Sequence, residues 1–279
     1  MSKTDQDNAS RPVTVDTLRK MKLRGEKFAV LTVYDASFAA ILERAGVEVM
    51  LVGDSLGMVI QGHDTTVPVT MDQMIYHTAN VARVRRQALL MADLPFASFA
   101  DPVRALDNAA RLMQEGGAQM VKIEGGGHVI NVVEQLASQG IPVCGHLGLQ
   151  PQAVHKLGGY RVQGRDPQDA DRMLKDAKAL EEAGADIVLL ESVPAALAQR
   201  ITEALSVPTI GIGAGPDCDG QVLVLYDVLG ISFGTRPRFA KDFLQTLGAD
   251  EPPNVEAAIR HYVSAVKQGR FPGPEHTFS

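Results

Sequence analysis

The sequence predicts an α/β fold: a (β/α)8 TIM barrel with additional helices at both ends. Short β-branched apolar runs alternate with helix-spaced amphipathic segments from near residue 28 to near residue 231. About eight such units follow one another with no mid-chain linker, in a chain of 279 residues. Most of the strand-like runs also end on a polar or charged residue, as strands do when a barrel carries its site at one mouth.

The elements follow in order. Thr14 to Arg24 reads as a helix ahead of the repeat. Phe28 to Tyr34 is the first strand, and Phe38, Ile41, Leu42 and Ala45 give the next segment a helical stripe that Gly46 is placed to end. Val47 to Val52 is the second strand and Met71 to Arg86 the second helix; Ala88 to Ala92 is the third strand and Pro102 to Gln114 the third helix. The pattern continues through Ala118 to Ile123 with Val129 to Ser138, Ile141 to Leu147 with Pro167 to Ala183, and Asp186 to Leu190 with Pro194 to Leu205. Pro208 to Ile212 is a seventh strand, an eighth lies within Gln221 to Ile231, and Asn254 to Gln268 is a closing helix. Residues 1–13 are polar, with no signal-peptide core, and are expected to be a disordered tail; residues 14–279 form one domain. A doubly wound open sheet is the structural rival, but Gly211-Ile212-Gly213-Ala214-Gly215 meets Pro216 where a dinucleotide fingerprint needs spacing and a final glycine.

With 45% hydrophobic and 22% charged residues, the composition is globular. A net charge of -6 opposes nucleic-acid or membrane-surface binding, and the cluster Arg83-Val84-Arg85-Arg86 reads as a solvated helix face. No apolar run approaches the roughly 20 residues that span a bilayer. Cys144 and Cys218 form no CxxC or zinc spacing, so the expected setting is a reducing cytoplasm.

The strand ends carry the chemistry: Tyr34-Asp35, Asp54-Ser55, Asp93, Lys122-Ile123-Glu124, His146 and Glu191-Ser192. A barrel gathers them at one face. Lys122 and Glu124, two apart, share a side of their strand while Val121 and Ile123 face the other. Several further carboxylates remain, and a desolvated, unpaired one costs several kcal/mol, so a divalent cation is the natural partner. Oxygen ligands Asp54, Asp93 and Glu124, with Asp35 a weaker candidate, suit Mg²⁺; zinc would want a histidine or cysteine cluster.

Taken singly, each residue has a plainer explanation. Asp after a strand is commonly a helix cap or turn residue, and Glu191 before Pro194 has the place of a cap. Lys122 with Glu124 is an ordinary same-face ion pair, and His146 a hydrogen-bonded core histidine. Cys144 beside His146 reads as a buried small hydrophobe and not a nucleophile. The glycines at 211–215 suit either an anion-binding turn or a tight turn. Only the joint pattern points to a functional mouth.

That pattern resembles the ketopantoate (3-methyl-2-oxobutanoate) hydroxymethyltransferase family, a metal-dependent barrel of the phosphoenolpyruvate/pyruvate type. The markers include Gly53-Asp54-Ser55, Val67-Pro68-Val69-Thr70-Met71, Asp93-Leu94-Pro95-Phe96 and Val121-Lys122-Ile123-Glu124-Gly125. Further along come Gly145-His146-Leu147-Gly148-Leu149, Gly158-Gly159-Tyr160-Arg161-Val162-Gln163-Gly164 and Glu191-Ser192-Val193-Pro194. The resemblance runs from about Thr14 to Gly273-Pro274-Glu275-His276.

It implies hydroxymethyl transfer from 5,10-methylenetetrahydrofolate to 3-methyl-2-oxobutanoate, giving 2-dehydropantoate for pantothenate synthesis. One Mg²⁺ per subunit is implied, with Asp54 and Asp93 as ligands and Glu124 as the third metal-site carboxylate. Asp54, Ser55, Asp93 and Lys122 correspond to the ketoacid contacts and Glu191 to the catalytic proton acceptor; His146 and Tyr34 are further candidates. A homo-oligomer, a homodecamer in some relatives, is implied as well. A carbon–carbon lyase or phosphonomutase of the same barrel type is the rival enzyme, but its Lys-Lys-Cys-Gly-His loop has no counterpart at Val143-Cys144-Gly145-His146. A non-catalytic ketoacid-binding protein is the rival of another class. The long connection from Gln150 to Arg165 has the length and glycines of a mobile cover.

Overall fold

The computed structural model describes residues 11–234, 236–248 and 254–279. Eight parallel strands close into a barrel in chain order, with the last pairing back onto the first. They are β1 (Phe28–Thr32), β2 (Val49–Val52), β3 (Leu89–Asp93), β4 (Met120–Glu124), β5 (Val143–Gly148), β6 (Ile187–Glu191), β7 (Thr209–Ile212) and β8 (Gly220–Leu223). Nearly every strand residue is buried, because helices cover the outer face and side chains fill the inner one. This explains the continuous apolar runs.

The flanking helices decide which end of the barrel is open. Helix α1 (Val15–Leu23) begins on a Thr14–Thr17 capping box and buries Leu18. Its Arg19 and Lys22 pair with Asp186 (2.7 Å) and Asp219 (2.9 Å), which precede β6 and β8. Thus α1 lies against the barrel's N-terminal end. The closing helix Val255–Lys267 serves as the helix of the eighth unit: Tyr262 Oη donates toward Val30 O (3.1 Å) on β1 and Gln221 O (2.7 Å) on β8. The C-terminal ends of the strands are left for loops.

Three boundaries differ from expectation. The second long helix stops at Ala82, so Arg83 to Arg86 are not a solvated helix face. The Glu43 carboxylate accepts from the N–H groups of Arg86, Gln87 and Ala88, turning this segment toward β3. The connection after β5 is not irregular throughout; it forms a 3₁₀ turn at Pro151–Ala153 and a short helix at Val154–Leu157. Of the expected tail, residues 1–10 lie outside the described residues, and Val13 N–H donates to Gln87 O (2.7 Å).

No helix among the described residues is long and apolar enough to cross a membrane.

Candidate active site

A cavity of about 630 Å³ opens at the C-terminal mouth, lined among others by Asp54, Ser55, Asp93, Lys122, Glu124, His146 and Glu191. The barrel thus brings together the polar strand ends that the sequence singles out. Asp35 is not among them. It caps the helix Ala36–Ala45 by accepting from Phe38 N–H at 2.9 Å, the plainer of its two readings. Glu191 makes no such cap: the helix after β6 starts behind Pro194 with no side-chain cap. Cys144 is fully buried, its thiol pushed up to about 12 by that burial, as a small core residue should be.

Close approach of the chain explains the glycine at position 53. A Cβ there would lie 2.8 Å from Ser55 Oγ and 3.5 Å from Asp93 Oδ2. Without it, Asp54 N–H donates to Asp93 Oδ2 at 3.0 Å, tying β2 to β3. Ser55 Oγ shares a 2.9 Å hydrogen bond with the buried phenol of Tyr34, which donates to Thr32 Oγ1 at 2.9 Å. Burial holds that phenol above its ordinary pKa and therefore protonated. Tyr34 supports Ser55 from behind and does not line the cavity.

Lys122 meets the carboxylates differently from the pairing expected. Its Nζ is 2.7 Å from Asp93 Oδ1 on the neighbouring strand and 3.9 Å from Glu124 Oε1 on its own. Burial opposes the ammonium, but Asp93, Glu124 and Asp54 outweigh it and hold Lys122 above the usual lysine range. Glu124 also suffers burial, yet His146, Lys122 and Gln152 N–H keep it below the usual carboxylate range. Asp54 goes the other way: burial and the charges of Asp93 and Glu124 raise it well above that range.

His146, paired in register with Glu124, stands between two carboxylates: Nδ1 is 3.5 Å from Glu124 Oε1 and Nε2 3.4 Å from Glu191 Oε2. Burial and Lys122 disfavour its charge, but the two carboxylates prevail and raise it to about 9. An imidazolium at neutral pH therefore stands between Glu124 and Glu191. Beyond Glu191, Ser192 takes a left-handed backbone (φ 49), a strain of about 1 kcal/mol held by its N–H on Ile212 O.

Gln152 is the site residue that sequence reasoning missed. From the 3₁₀ turn after β5, its Nε2 donates to Asp54 Oδ2 (2.8 Å) and Leu94 O (2.9 Å), and its N–H donates to Glu124 Oε2 (3.1 Å). A proline–glutamine step in a loop carries no sequence signal of this.

The residues fit a hard divalent cation. Asp54, Asp93 and Glu124 are buried together against Lys122 and a shared imidazolium, and Asp93 Oδ1 has no directed hydrogen bond despite its ammonium neighbour. No three His, Cys, Asp or Glu groups among the described residues form a ready-made cage. The fit is therefore to an ion that keeps waters and substrate oxygens in its shell, as Mg²⁺ does. Gln152→Met, which keeps the volume and removes the amide, is expected to raise the Mn²⁺ dissociation constant about 10- to 100-fold. A paramagnetic-resonance titration checks this; an unchanged constant would reduce Gln152 to a space filler.

The sequence profile of ketopantoate hydroxymethyltransferases matches residues 12–274. The chain belongs to the ketopantoate hydroxymethyltransferase family. It is 60% identical over 279 residues to the 3-methyl-2-oxobutanoate hydroxymethyltransferase of Halorhodospira halophila, covering 100% of this chain and 99% of that one. The same-named enzyme of Alkalilimnicola ehrlichii is 58% identical over 274 residues, with 98% and 97% covered.

Among solved structures, phosphonopyruvate hydrolase complexed with oxalate and Mg²⁺ aligns with a TM-score of 0.58 at 16% identity, covering 75% of this chain and 80% of that one. Oxaloacetate acetylhydrolase aligns at 0.57 and 13%, covering 95% and 99%. At such identities the likeness shows the barrel fold. The ketopantoate hydroxymethyltransferase assignment makes this chain an enzyme acting on small molecules, which disposes of the non-catalytic reading. The lyase comparison fails locally too, since Cys144 and His146 lie within β5 and not on a loop.

Proposed function

We propose that the enzyme moves a hydroxymethyl group from 5,10-methylenetetrahydrofolate to 3-methyl-2-oxobutanoate, assisted by Mg²⁺ and initiated by proton removal at Glu191. The observation that carries this is one mouth holding a cation-hungry carboxylate cluster and, linked to it through His146, a carboxylate outside that cluster. Asp54 and Asp93 would hold the metal, with Glu124 completing the charge around it. When bound, the metal supplies a Lewis acid worth several kcal/mol to the charge that develops on a ketone oxygen. The oxalate and Mg²⁺ bound by the barrel relative suit this reading, since oxalate presents the paired oxygens of a planar 2-oxo acid.

The chain's own residues divide the remaining work. Lys122 and Ser55 orient the ketoacid carboxylate, and the apolar wall of Leu51, Leu189, Ile212 and Val222 accommodates its isopropyl group. Glu191, outside the carboxylate cluster, takes the C3 proton, while His146 holds it in place. Water adds to the folate's methylene carbon, both of its C–N bonds break to release tetrahydrofolate and formaldehyde, and the C3 enolate adds to that carbonyl, whose oxygen takes up a proton to become the new hydroxyl. The cover reading of residues 150–165 narrows to a tip around Gly158-Gly159, since Gln152 is pinned at one end and Gln163 N–H donates to Ser192 O at the other. The buried, unpaired Cys144 and Cys218 agree with a reducing cytoplasm, and exposed Tyr76, Phe96 and Val103 agree with contacts between subunits.

Proton exchange tests the core of this proposal without folate. In D₂O with Mg²⁺, the C3–H resonance of 3-methyl-2-oxobutanoate is expected to disappear at a rate that chelation abolishes. Exchange at the same rate in a chelator would remove the metal from the mechanism, and no exchange at all would remove this ketoacid.

A further inference from the structure

The cavity is too large for the ketoacid alone. A volume of about 630 Å³ falls in the range of pockets that hold drug-sized ligands. The ketoacid has eight non-hydrogen atoms, and the 2-amino-4-oxopteridine head of a folate has twelve. Two features define the surplus space. The rings of Phe239 and Phe278 converge over Gly213, where a Cβ would come within 2.9 and 3.0 Å of them. Gly213 directly follows Ile212, the register partner of Glu191, and both rings line the same cavity as that carboxylate.

The second feature is a carboxylate outside the metal cluster. Asp227 is 7% exposed and lines the same cavity, with Oδ1 accepting from Ser232 Oγ at 2.6 Å. Arg238 stands farther out, exposed, with its guanidinium 5.6 Å from the Phe278 ring centroid. The order is therefore aromatic faces and a buried acid inside, a cation at the rim.

We propose that this outer chamber receives the pterin head of the one-carbon donor, with Asp227 accepting from its ring N–H and 2-amino group and Phe239 and Phe278 against its faces. The inference rests on the folate donor proposed above and names its place. A carboxylate matches the adjacent N–H pair of a 2-amino-4-oxopyrimidine in bidentate fashion, and aromatic rings gain by stacking on a flat heterocycle. The acidic glutamate tail would be repelled by Asp227 and drawn to Arg238, which orients the molecule with its reactive ring inward. The plainer account makes Asp227 only the anchor of the Ser232 loop.

The test uses whole enzyme, tetrahydrofolate, and a tetrahydrofolate carrying a methyl group in place of the 2-amino group. Calorimetry is expected to show the analogue binding wild-type enzyme at least 10-fold more weakly than tetrahydrofolate. Asp227→Asn should weaken tetrahydrofolate by a similar factor and narrow the difference between the two ligands; ketoacid proton exchange reports whether the variant's reaction chamber is intact. Equal wild-type affinity for both ligands, or unchanged tetrahydrofolate affinity in an exchange-competent variant, would overturn the pterin site. Wild-type enzyme that exchanges the ketoacid proton yet binds no tetrahydrofolate would instead count against the donor itself.

Discussion

Glu191→Gln is expected to slow exchange of the ketoacid C3 proton by roughly 10²- to 10⁴-fold, the usual contribution of a positioned base. The substitution preserves shape, and its carbonyl oxygen can still face His146 Nε2, now 3.4 Å from the carboxylate. Glu191 makes none of the contacts that hold Asp54, Asp93 or Glu124, so Mn²⁺ affinity should stay near that of the parent. The two readouts together isolate the role. A loss of exchange with a parallel loss of metal would mean that Glu191 acts through the carboxylate cluster. Exchange within about threefold of the parent would mean that another group takes the proton.

The barrel was legible because its strands are buried on both faces and read as unbroken apolar runs. Gly46 is an example of a clean local signal: it takes the left-handed conformation (φ 80) that ends the preceding helix. Glu43 shows the opposite. It holds residues 86–88, past the end of Met71–Ala82, from 43 to 45 residues away, a contact no local pattern contains. The same division runs through the site. Gly53-Asp54-Ser55, Lys122, Glu124 and Glu191 stood out through strand position, whereas their partners depended on register.

Lys122 turns to Asp93 across the β3–β4 ladder more closely than to Glu124. Gln152 reaches Asp54 over 98 residues. Asp35 and Asp54 look alike in the sequence, each an aspartate just past a strand. What separates them is whether the following backbone turns into a long helix to be capped or stays at the mouth.

Asp93 offers the sharpest separation of structural from chemical roles, because it does both. Its Oδ1 faces Lys122 and its Oδ2 accepts Asp54 N–H. Asp93→Ala leaves a buried ammonium whose one remaining ion-pair partner within 4 Å among the described residues, Glu124, is 3.9 Å away. Breaking such a pair costs about 3–5 kcal/mol, which urea denaturation would read as an early midpoint. Lys122→Met in the same chain removes the stranded charge and should recover much of that stability.

Metal-assisted exchange should not recover in the double variant, because the lost carboxylate is also a proposed metal ligand. A loss of several kcal/mol of charge stabilisation corresponds to roughly a 10³-fold slower exchange. Recovery of stability with exchange slower than in Lys122→Met alone, which already lacks the proposed lysine contact with the ketoacid, would place Asp93 in the chemistry. Recovery of stability with exchange equal to that of Lys122→Met alone would leave it as no more than the counter-ion of Lys122.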